Sequence, residues 1–313
     1  MEGKKVIVTG GLGFIGSHLV EALVEKNEVT VIDNRSTGKW ENISHLGDAR
    51  LDVIEGDVAA LNLPDIFDGY DYVFHQAALP SVQRSIDEPL ISNQSNATGT
   101  LKVLIAAKES GIKKVVYASS SSVYGDTAEL PKREDMCLAP KSPYAVTKAA
   151  GELYCTAFQE VYGLRTVSLR YFNVFGPRQD YRSGYAAVIP RFIAAMLNNS
   201  PPIVYGDGEQ SRDFTFVKHV VEANVRACES KATGIFNIAC GRSFTLNELI
   251  ALLAKITRSD VVPLFAAPRP GDIRHSLAAI SKARVFGYAP RNNFEDELRE
   301  TVRWFESGTN RED

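Results

Sequence analysis

The sequence predicts an α/β fold: a doubly wound parallel sheet followed by a smaller C-terminal α/β lobe. Three observations predict it. Short β-branched runs alternate with helical patterns from Val6 to about Ala118, a glycine-rich turn joins the first run to the first helix, and hydroxyl side chains gather where the fifth run ends. The 313 residues exceed one typical core, which suits one large unit with a second lobe. The division falls at residues 1–172 for the sheet domain and 173–313 mainly for the lobe, with parts of the latter returning to the sheet.

The first strand, Val6-Ile7-Val8-Thr9, runs into Gly10-Gly11-Leu12-Gly13-Phe14-Ile15-Gly16 and then a helical pattern to about Lys26. Strand, glycine turn and helix in this order make a Rossmann-type dinucleotide site. The turn must be tight, let the backbone approach a pyrophosphate, pack the helix on the strand and aim the helix N-terminus at the anion. Two frames fit, Gly10/Gly13/Gly16 and Gly11/Gly13/Gly16. The second strand, Glu28 to Ile32, ends at Asp33, 20 residues after Gly13. A carboxylate there accepts both ribose hydroxyls of NAD and repels the extra phosphate of NADP, although Arg35 nearby is of the type that serves NADP.

A third strand, Leu51 to Glu55, leads to Gly56-Asp57-Val58, and a fourth, Tyr72-Val73-Phe74, leads to His75-Gln76-Ala77-Ala78. The small residues leave room for a ring or ribose, and His75 is expected to fill the strand end. A helix over about Asn96 to Glu109 feeds a fifth strand, Lys114 to Ala118, ending in Ser119-Ser120-Ser121-Ser122-Val123-Tyr124-Gly125. The lobe is expected to hold helices near 187–197, 245–256 and 294–305, a strand and turn over 203–208, and an unfolded tail from Ser307 to Asp313.

Tyr144 and Lys148 are spaced to sit one turn apart on a helix. A phenol of pKa near ~10 is protonated at neutral pH, and a neighbouring ammonium favours the phenolate. A downward shift of ~3 units, which brings it into working range as a base, asks roughly 4 kcal/mol of the site.

A net charge of −3 without a Lys/Arg run argues against nucleic-acid binding. The opening Met1 to Lys5 passes into a short strand and glycines, so neither a signal peptide nor a membrane span is expected. Cys137, Cys155, Cys228 and Cys240 have no metal-ligand spacing and read as reduced thiols of a cytoplasmic protein; no metal is expected.

These motifs together resemble the extended short-chain dehydrogenase/reductase superfamily, from about residue 4 to 305. The matching elements are the Thr9 to Gly16 turn, Asp33, Asp57-Val58, the Ser120 to Tyr124 turn and Tyr144/Lys148. Arg170 to Pro177 and Arg269-Pro270-Gly271-Asp272 are similar to the nucleotide-sugar subset. Within it, the pattern most resembles UDP-hexose 4-epimerases, including those acting on UDP-N-acetylglucosamine. The resemblance implies retained NAD, a UDP-sugar substrate, a transient 4-keto sugar and a homodimer built on two helices, one bearing Tyr144. It makes Tyr144 the base, Lys148 its tuning partner and a holder of the cofactor ribose, and Ser120 a hydrogen-bond donor to the 4-oxygen.

Cofactor contacts implied by the resemblance are Gly10, Gly13, Phe14, Ile15 and Gly16 in the turn, and Asp33, Asn34, Ser36 and Gly38 after the second strand. Asp57, Val58, Gln76, Ala77, Ala78, Asn96 and Phe172 complete the set with Tyr144 and Lys148. Substrate contacts implied are Ser81, Ser120, Ser122 and Tyr144 on the sheet side, and Asn173, Gln179, Ala187, Val188 and Tyr205 beyond it. Arg212 and Arg269 suit a diphosphate, and Asp272 and Ser276 accompany them. Where some such epimerases carry a bulky Tyr, this chain has Ser276, which leaves room for a 2-N-acetyl group; a Lys common after the fourth strand is replaced by Pro80.

The competing readings are a UDP-glucuronate 4-epimerase or decarboxylase, which shares the oxidation, and a non-catalytic NAD-sensing regulator, which has no need of Tyr144, Lys148 and Ser120 together. A 4,6-dehydratase needs an acid-base pair where this chain has Ser121 and Ser122.

Overall fold

The computed structural model describes residues 1–47, 50–182, 186–268, 273–291 and 293–309, with the side chains of 308–309 left aside. The elements run β1 (Lys5–Thr9), α1 (Phe14–Val24), β2 (Glu28–Asp33), β3 (Leu51–Glu55), α2 (Leu63–Phe67), β4 (Tyr72–His75), α3 (Val82–Asp87), α4 (Pro89–Asn93), α5 (Gly99–Glu109) and β5 (Lys114–Ser120). Then come α6 (Pro143–Tyr162), β6 (Thr166–Tyr171), β7 (Val174–Phe175), α7 (Val188–Leu197), β8 (Ile203–Tyr205), β9 (Ser211–Arg212), β10 (Thr215–Phe216) and α8 (Val217–Glu229). The chain closes with β11 (Gly234–Ile238), β12 (Phe244–Thr245), α9 (Leu246–Thr257), β13 (Leu264–Ala266) and α10 (Phe294–Thr309).

Seven of these strands form one parallel sheet in the order β11-β6-β5-β4-β1-β2-β3. The order reverses at β1, between β4 and β2, which opens a crevice at the carboxyl ends of the strands. β5 and β6 are buried nearly throughout, as strands covered on both faces must be. One face, with Val6 and Val8, packs under Leu19 and Val20 of α1 and Val220 and Ala223 of α8; the other, with Ile7 and Val115, packs under Phe67 of α2, Val103 of α5 and Phe158 of α6. A third apolar cluster gathers Phe175, Ile193, Phe216, Leu249, Leu298 and Phe305, and holds the C-terminal lobe together.

Residues beyond 172 supply a strand of the main sheet, β11, and its covering helix α8, as well as the lobe. One expectation changes: the last helix runs past the expected stop at 305 to Thr309, because Phe294, Leu298, Val302 and Phe305 anchor it in the lobe core, and a packed helix propagates at little cost once nucleated.

Candidate active site

A cavity of about 200 Å³ lies at the sheet's carboxyl edge, between the β1–α1 turn and the start of α6. The turn shapes its floor. Gly10 has φ +71°, and a Cβ there would lie 2.7 Å from the backbone nitrogen of Ala77; a Cβ on Gly16 would lie 2.0 Å from the Gly10 carbonyl oxygen. Any side chain at either position would push strand, turn and helix apart. Gly10, Gly13 and Gly16 line the cavity, whereas Gly11 packs against Val31, so the structure uses the Gly10 frame.

Asp33 closes the far end. Its carboxylate accepts from the backbone N–H of Leu12 (3.0 Å) and of Arg35 (2.7 Å), and burial pushes its pKa up against those two donors. Asn34, Ser36, Asp57 and Val58 line the wall beside it. Gly38 is off the wall but its backbone abuts the Asp33 carboxylate. Arg35 turns aside to Glu55, 3.5 Å away.

Phe14, Ile15, Gln76, Ala77 and Ala78 form the middle of the lining. Asn96 and Phe172 are placed differently from the expected direct contacts. Asn96 is buried and spends its amide on the backbone of Leu79 (2.8 and 3.2 Å) and the hydroxyl of Thr147 (3.1 Å), so it shapes the wall through Leu79. Phe172 is buried behind Tyr124.

Tyr144 and Lys148 face the near end from α6. The helix begins there because Ser142 caps it, accepting from the N–H of Ala145 (3.2 Å), and because Pro143 fills its first position. The Ser120 hydroxyl, which accepts from the Ser122 N–H (3.2 Å), lies close enough to the Tyr144 phenol to favour its ionised form. Lys148 donates to the Ala118 carbonyl (2.7 Å), with its ammonium 5.1 Å from the Tyr117 ring centroid and 5.9 Å from that of Tyr144.

The expected lowering of Tyr144 by Lys148 is absent from the chain alone. Burial raises the Tyr144 pKa, and the Ser120 hydrogen bond opposes it. Burial likewise brings Lys148 down to about 8, against Glu152 and Cys155. The ammonium is committed to a carbonyl instead of the phenol oxygen.

His75 fills the strand end as expected. It lies 2.7 Å from the Thr9 hydroxyl and 2.9 Å from that of Thr100, and burial, followed by the charge of Lys148, holds its pKa down to about 3.

Of the other residues read as substrate contacts, Asn173, Gln179, Ala187, Val188, Tyr205, Arg212 and Ser276 lie beyond β6, and Ser81 and Ser122 lie on the sheet side. Asn173, at φ +34°, donates to the Asp213 carbonyl (3.1 Å) and to the Ser276 hydroxyl (3.4 Å), bringing two of them together. Arg212 donates to the carbonyls of Ser211 (3.0 Å) and Arg274 (3.2 Å). Tyr205 lies under the guanidinium of Arg191, at 5.8 Å, which joins it to the helix opened by Ala187 and Val188. Ser81 caps α3 by accepting from Arg84 N–H. Buried polar atoms with no protein partner include the Ser122 hydroxyl and Gln179 Oε1. Arg269 and Asp272 lie outside the described residues.

Sequence reasoning missed Ile32, Thr37, Gly56, Leu79, Pro80, Ser95, Ala118, Ser119 and Tyr171 in the lining. Tyr171 is the most consequential: its hydroxyl joins Gln76 and Asn224 (2.8 Å) in a buried network. Its place at the carboxyl end of the strand Thr166–Tyr171, directly before the Phe172 to Pro177 motif, was the available signal. Among the described residues no cluster of three or more His, Cys, Asp or Glu side chains is placed to hold a metal, and no helix is long and apolar enough to cross a membrane.

Residues 6–239 match the NAD dependent epimerase/dehydratase family. The UDP-N-acetylglucosamine 4-epimerase from Methanobrevibacter ruminantium M1, solved in complex with UDP-N-acetylmuramic acid, is 50% identical with a TM-score of 0.97, over 98% of this chain and 100% of that one. The UDP-glucose 4-epimerase of Thermotoga maritima, with UDP-glucose, is 38% identical with a TM-score of 0.93, over 97% and 99%. That of Thermus thermophilus, in complex with NAD, is 36% identical with a TM-score of 0.87, over 96% and 99%. With the parallel sheet, its glycine turn and the Tyr144/Lys148 pair in place, the chain belongs to the NAD dependent epimerase/dehydratase family, in the extended short-chain dehydrogenase/reductase superfamily, alongside UDP-sugar 4-epimerases.

Proposed function

We propose that the chain is an isomerase that interconverts the C4 epimers of UDP-hexoses, N-acetylated ones included, with NAD as a retained cofactor. The observation that carries this reading is the Tyr144 phenol, with the Ser120 hydroxyl acting on it, in the wall of a cavity that also holds Lys148 and the Asp33 carboxylate. The cavity's residues fit NAD. Side chains are excluded at Gly10 and Gly16 where a pyrophosphate would approach, Asp33 is set for the adenine ribose with Arg35 turned away to Glu55, and Lys148 is near enough to hold the second ribose. NAD bound there would supply a reversible acceptor for the C4 hydrogen with its bonding electron pair, and the positive charge of its oxidised ring would favour the phenolate.

In the outward half of the reaction Tyr144 takes the proton of the sugar 4-hydroxyl while Ser120 donates to the same oxygen as it becomes a carbonyl. In the return half, on the other face of the turned 4-keto sugar, Tyr144 gives the proton back. General-base catalysis of this kind contributes roughly 10²–10⁴-fold, and a donor aimed at developing charge adds to it. The unpartnered Ser122 hydroxyl on the sheet side and Gln179 oxygen beyond it support a polar ligand, and the small Ser276 beside Asn173 supports an N-acetyl group.

A homodimer accords with the outer face of α6, where exposed apolar residues recur at seven-residue spacing: Val146 and Leu153, Tyr154 and Val161. A cytoplasmic location accords with the four unpaired cysteines.

The test is to incubate the purified protein, without added NAD, with UDP-N-acetylglucosamine, UDP-glucose and UDP-glucuronate separately, and to resolve the 4-epimers. Conversion of the hexoses supports the reading. Conversion of the glucuronate alone, or none after NAD is added, overturns it.

A further inference from the structure

Resting on the reaction proposed above, we propose that Glu152 is a positioning residue for it: its carboxylate, fixed by Arg170, locks the Ser119–Ser120 strand end to the helix that carries Tyr144 and Lys148, and so sets the Ser120–Tyr144 pairing.

Glu152 lies one turn beyond Lys148 and two beyond Tyr144, on the inner face of α6, and is 1% exposed. Its Oε1 accepts from the Ser119 hydroxyl (2.5 Å) and from Arg170 Nε (2.8 Å), and its Oε2 accepts from Arg170 Nη2 (2.7 Å). Ser119 and Arg170 are cross-strand partners in the β5–β6 register. One carboxylate therefore ties two adjacent strands to the helix lying over them, at the level where the proposed base and its donor must meet.

The same pair holds the serine turn from its other side. The Arg170 guanidinium lies 4.6 Å from the centroid of the Tyr124 ring, and the Tyr124 hydroxyl donates to Asn237 Oδ1 (2.6 Å) on β11. Ser120 thus sits between Ser119, bonded to Glu152, and Tyr124, packed on Arg170.

Stability alone does not account for this arrangement. Desolvating two charges offsets most of their attraction, and an apolar trio of similar volume packs as well. What the ion pair supplies is direction, because a guanidinium fork on a carboxylate admits one register where apolar groups slide. The carboxylate also lies near the Lys148 ammonium, where it counters burial and keeps the charge on Lys148. The other titratable groups close to that ammonium are Tyr144 and Cys155 of the same helix, Tyr117 of β5 and His75 of β4.

The test uses Ser119→Ala, which cuts the link between carboxylate and turn without leaving a buried charge unpaired, together with Glu152→Gln. The readouts are kcat and KM for the UDP-hexose, NAD content, thermal midpoint, and the Tyr144 phenol titration by ultraviolet difference against Tyr144→Phe. The expected result for Ser119→Ala is a kcat lowered on the order of tenfold, with KM, NAD content and midpoint unchanged, a phenol titration moved upward, and recovery in Ser119→Thr. A kcat within twofold of wild type, or a loss that follows lost NAD or a raised KM, overturns the proposal. Wild-type protein inactive on every UDP-hexose overturns the reaction instead; the phenol titration then decides, and a Tyr144 phenol that titrates in Ser119→Ala as it does in wild type overturns the positioning role.

Discussion

The backbone N–H of Tyr144 donates to the hydroxyl of Ser85, 3.0 Å away, so the first turn of the helix that carries the phenol is tied to the short helix after β4. Helix starts leave backbone donors unsatisfied. At α6, Ser142 takes the donor of Ala145, Pro143 has none, and Ser85, which is fully buried, takes that of Tyr144. Ser85 itself donates to the Val82 carbonyl (2.6 Å), so its hydroxyl is committed in both directions.

Ser85→Ala should leave a buried N–H unpaired and lower stability by about 1–2 kcal/mol. Because the lost bond is to Tyr144 itself, kcat should fall several-fold while NAD content holds. Urea denaturation and steady-state rates measure the two effects. Unchanged kcat in a destabilised variant would show that the tie serves folding alone.

Asp33→Asn removes the charge but keeps an acceptor. A hydrogen bond to a charged group contributes roughly 1.5–3 kcal/mol, so NAD affinity should drop about 10- to 100-fold. NADP affinity should change little or improve, since a carboxylate repels the 2′-phosphate. Titration of refolded, cofactor-stripped protein followed by tyrosine and tryptophan fluorescence gives both constants. Equal NAD affinity in the two proteins would remove Asp33 from the cofactor set.

Much of this architecture was legible in the chain because its local signals agree. The glycine turn, the β-branched runs and Asp33 each name one part of a parallel-sheet edge, and the structure assembles them there. What was not legible depends on partners far apart in sequence. The amide of Asn96 has the look of a ligand contact until its partners Leu79 and Thr147 are in view, and Tyr171 belongs to the wall only because Gln76 and Asn224 come alongside. Lys148 is the sharper case: its spacing places it on the face of Tyr144, but whether an ammonium pairs with a phenol depends on nearby carbonyls, and that of Ala118 takes it.

His75 makes stability depend on acid. The unfolded chain binds its proton near pH 6.5, while the folded chain, with the ring buried and close to Lys148, resists until about 3. Between those values the unfolded state carries the extra proton, so stability should fall as pH drops through that window, by up to ~1.4 kcal/mol per pH unit from this group. Above about 6.5 the effect is absent. Urea denaturation at pH 7, 5.5 and 4 should show a shallower decline in His75→Gln, whose amide takes up no proton in this range. Parallel declines in the two proteins would mean that the imidazole is protonated in the folded state.

Ser276→Tyr tests the sugar pocket. The Ser276 hydroxyl lies 3.4 Å from Asn173 Nδ2, and the Ser276 N–H is held by the Ser211 carbonyl at 3.0 Å, so the backbone there is fixed and added bulk must go into the space facing Asn173. Filling that space should exclude a 2-N-acetyl group and spare a 2-hydroxyl. UDP-N-acetylglucosamine turnover should therefore fall at least ~10-fold more than that of UDP-glucose, since one misfit group of this size is worth about 1–3 kcal/mol or more. The ratio of kcat/KM for the two substrates is the measurement, because it cancels any general loss of folding or NAD. An unchanged ratio would place the acetyl group elsewhere and leave Ser276 only its backbone role in fixing the loop.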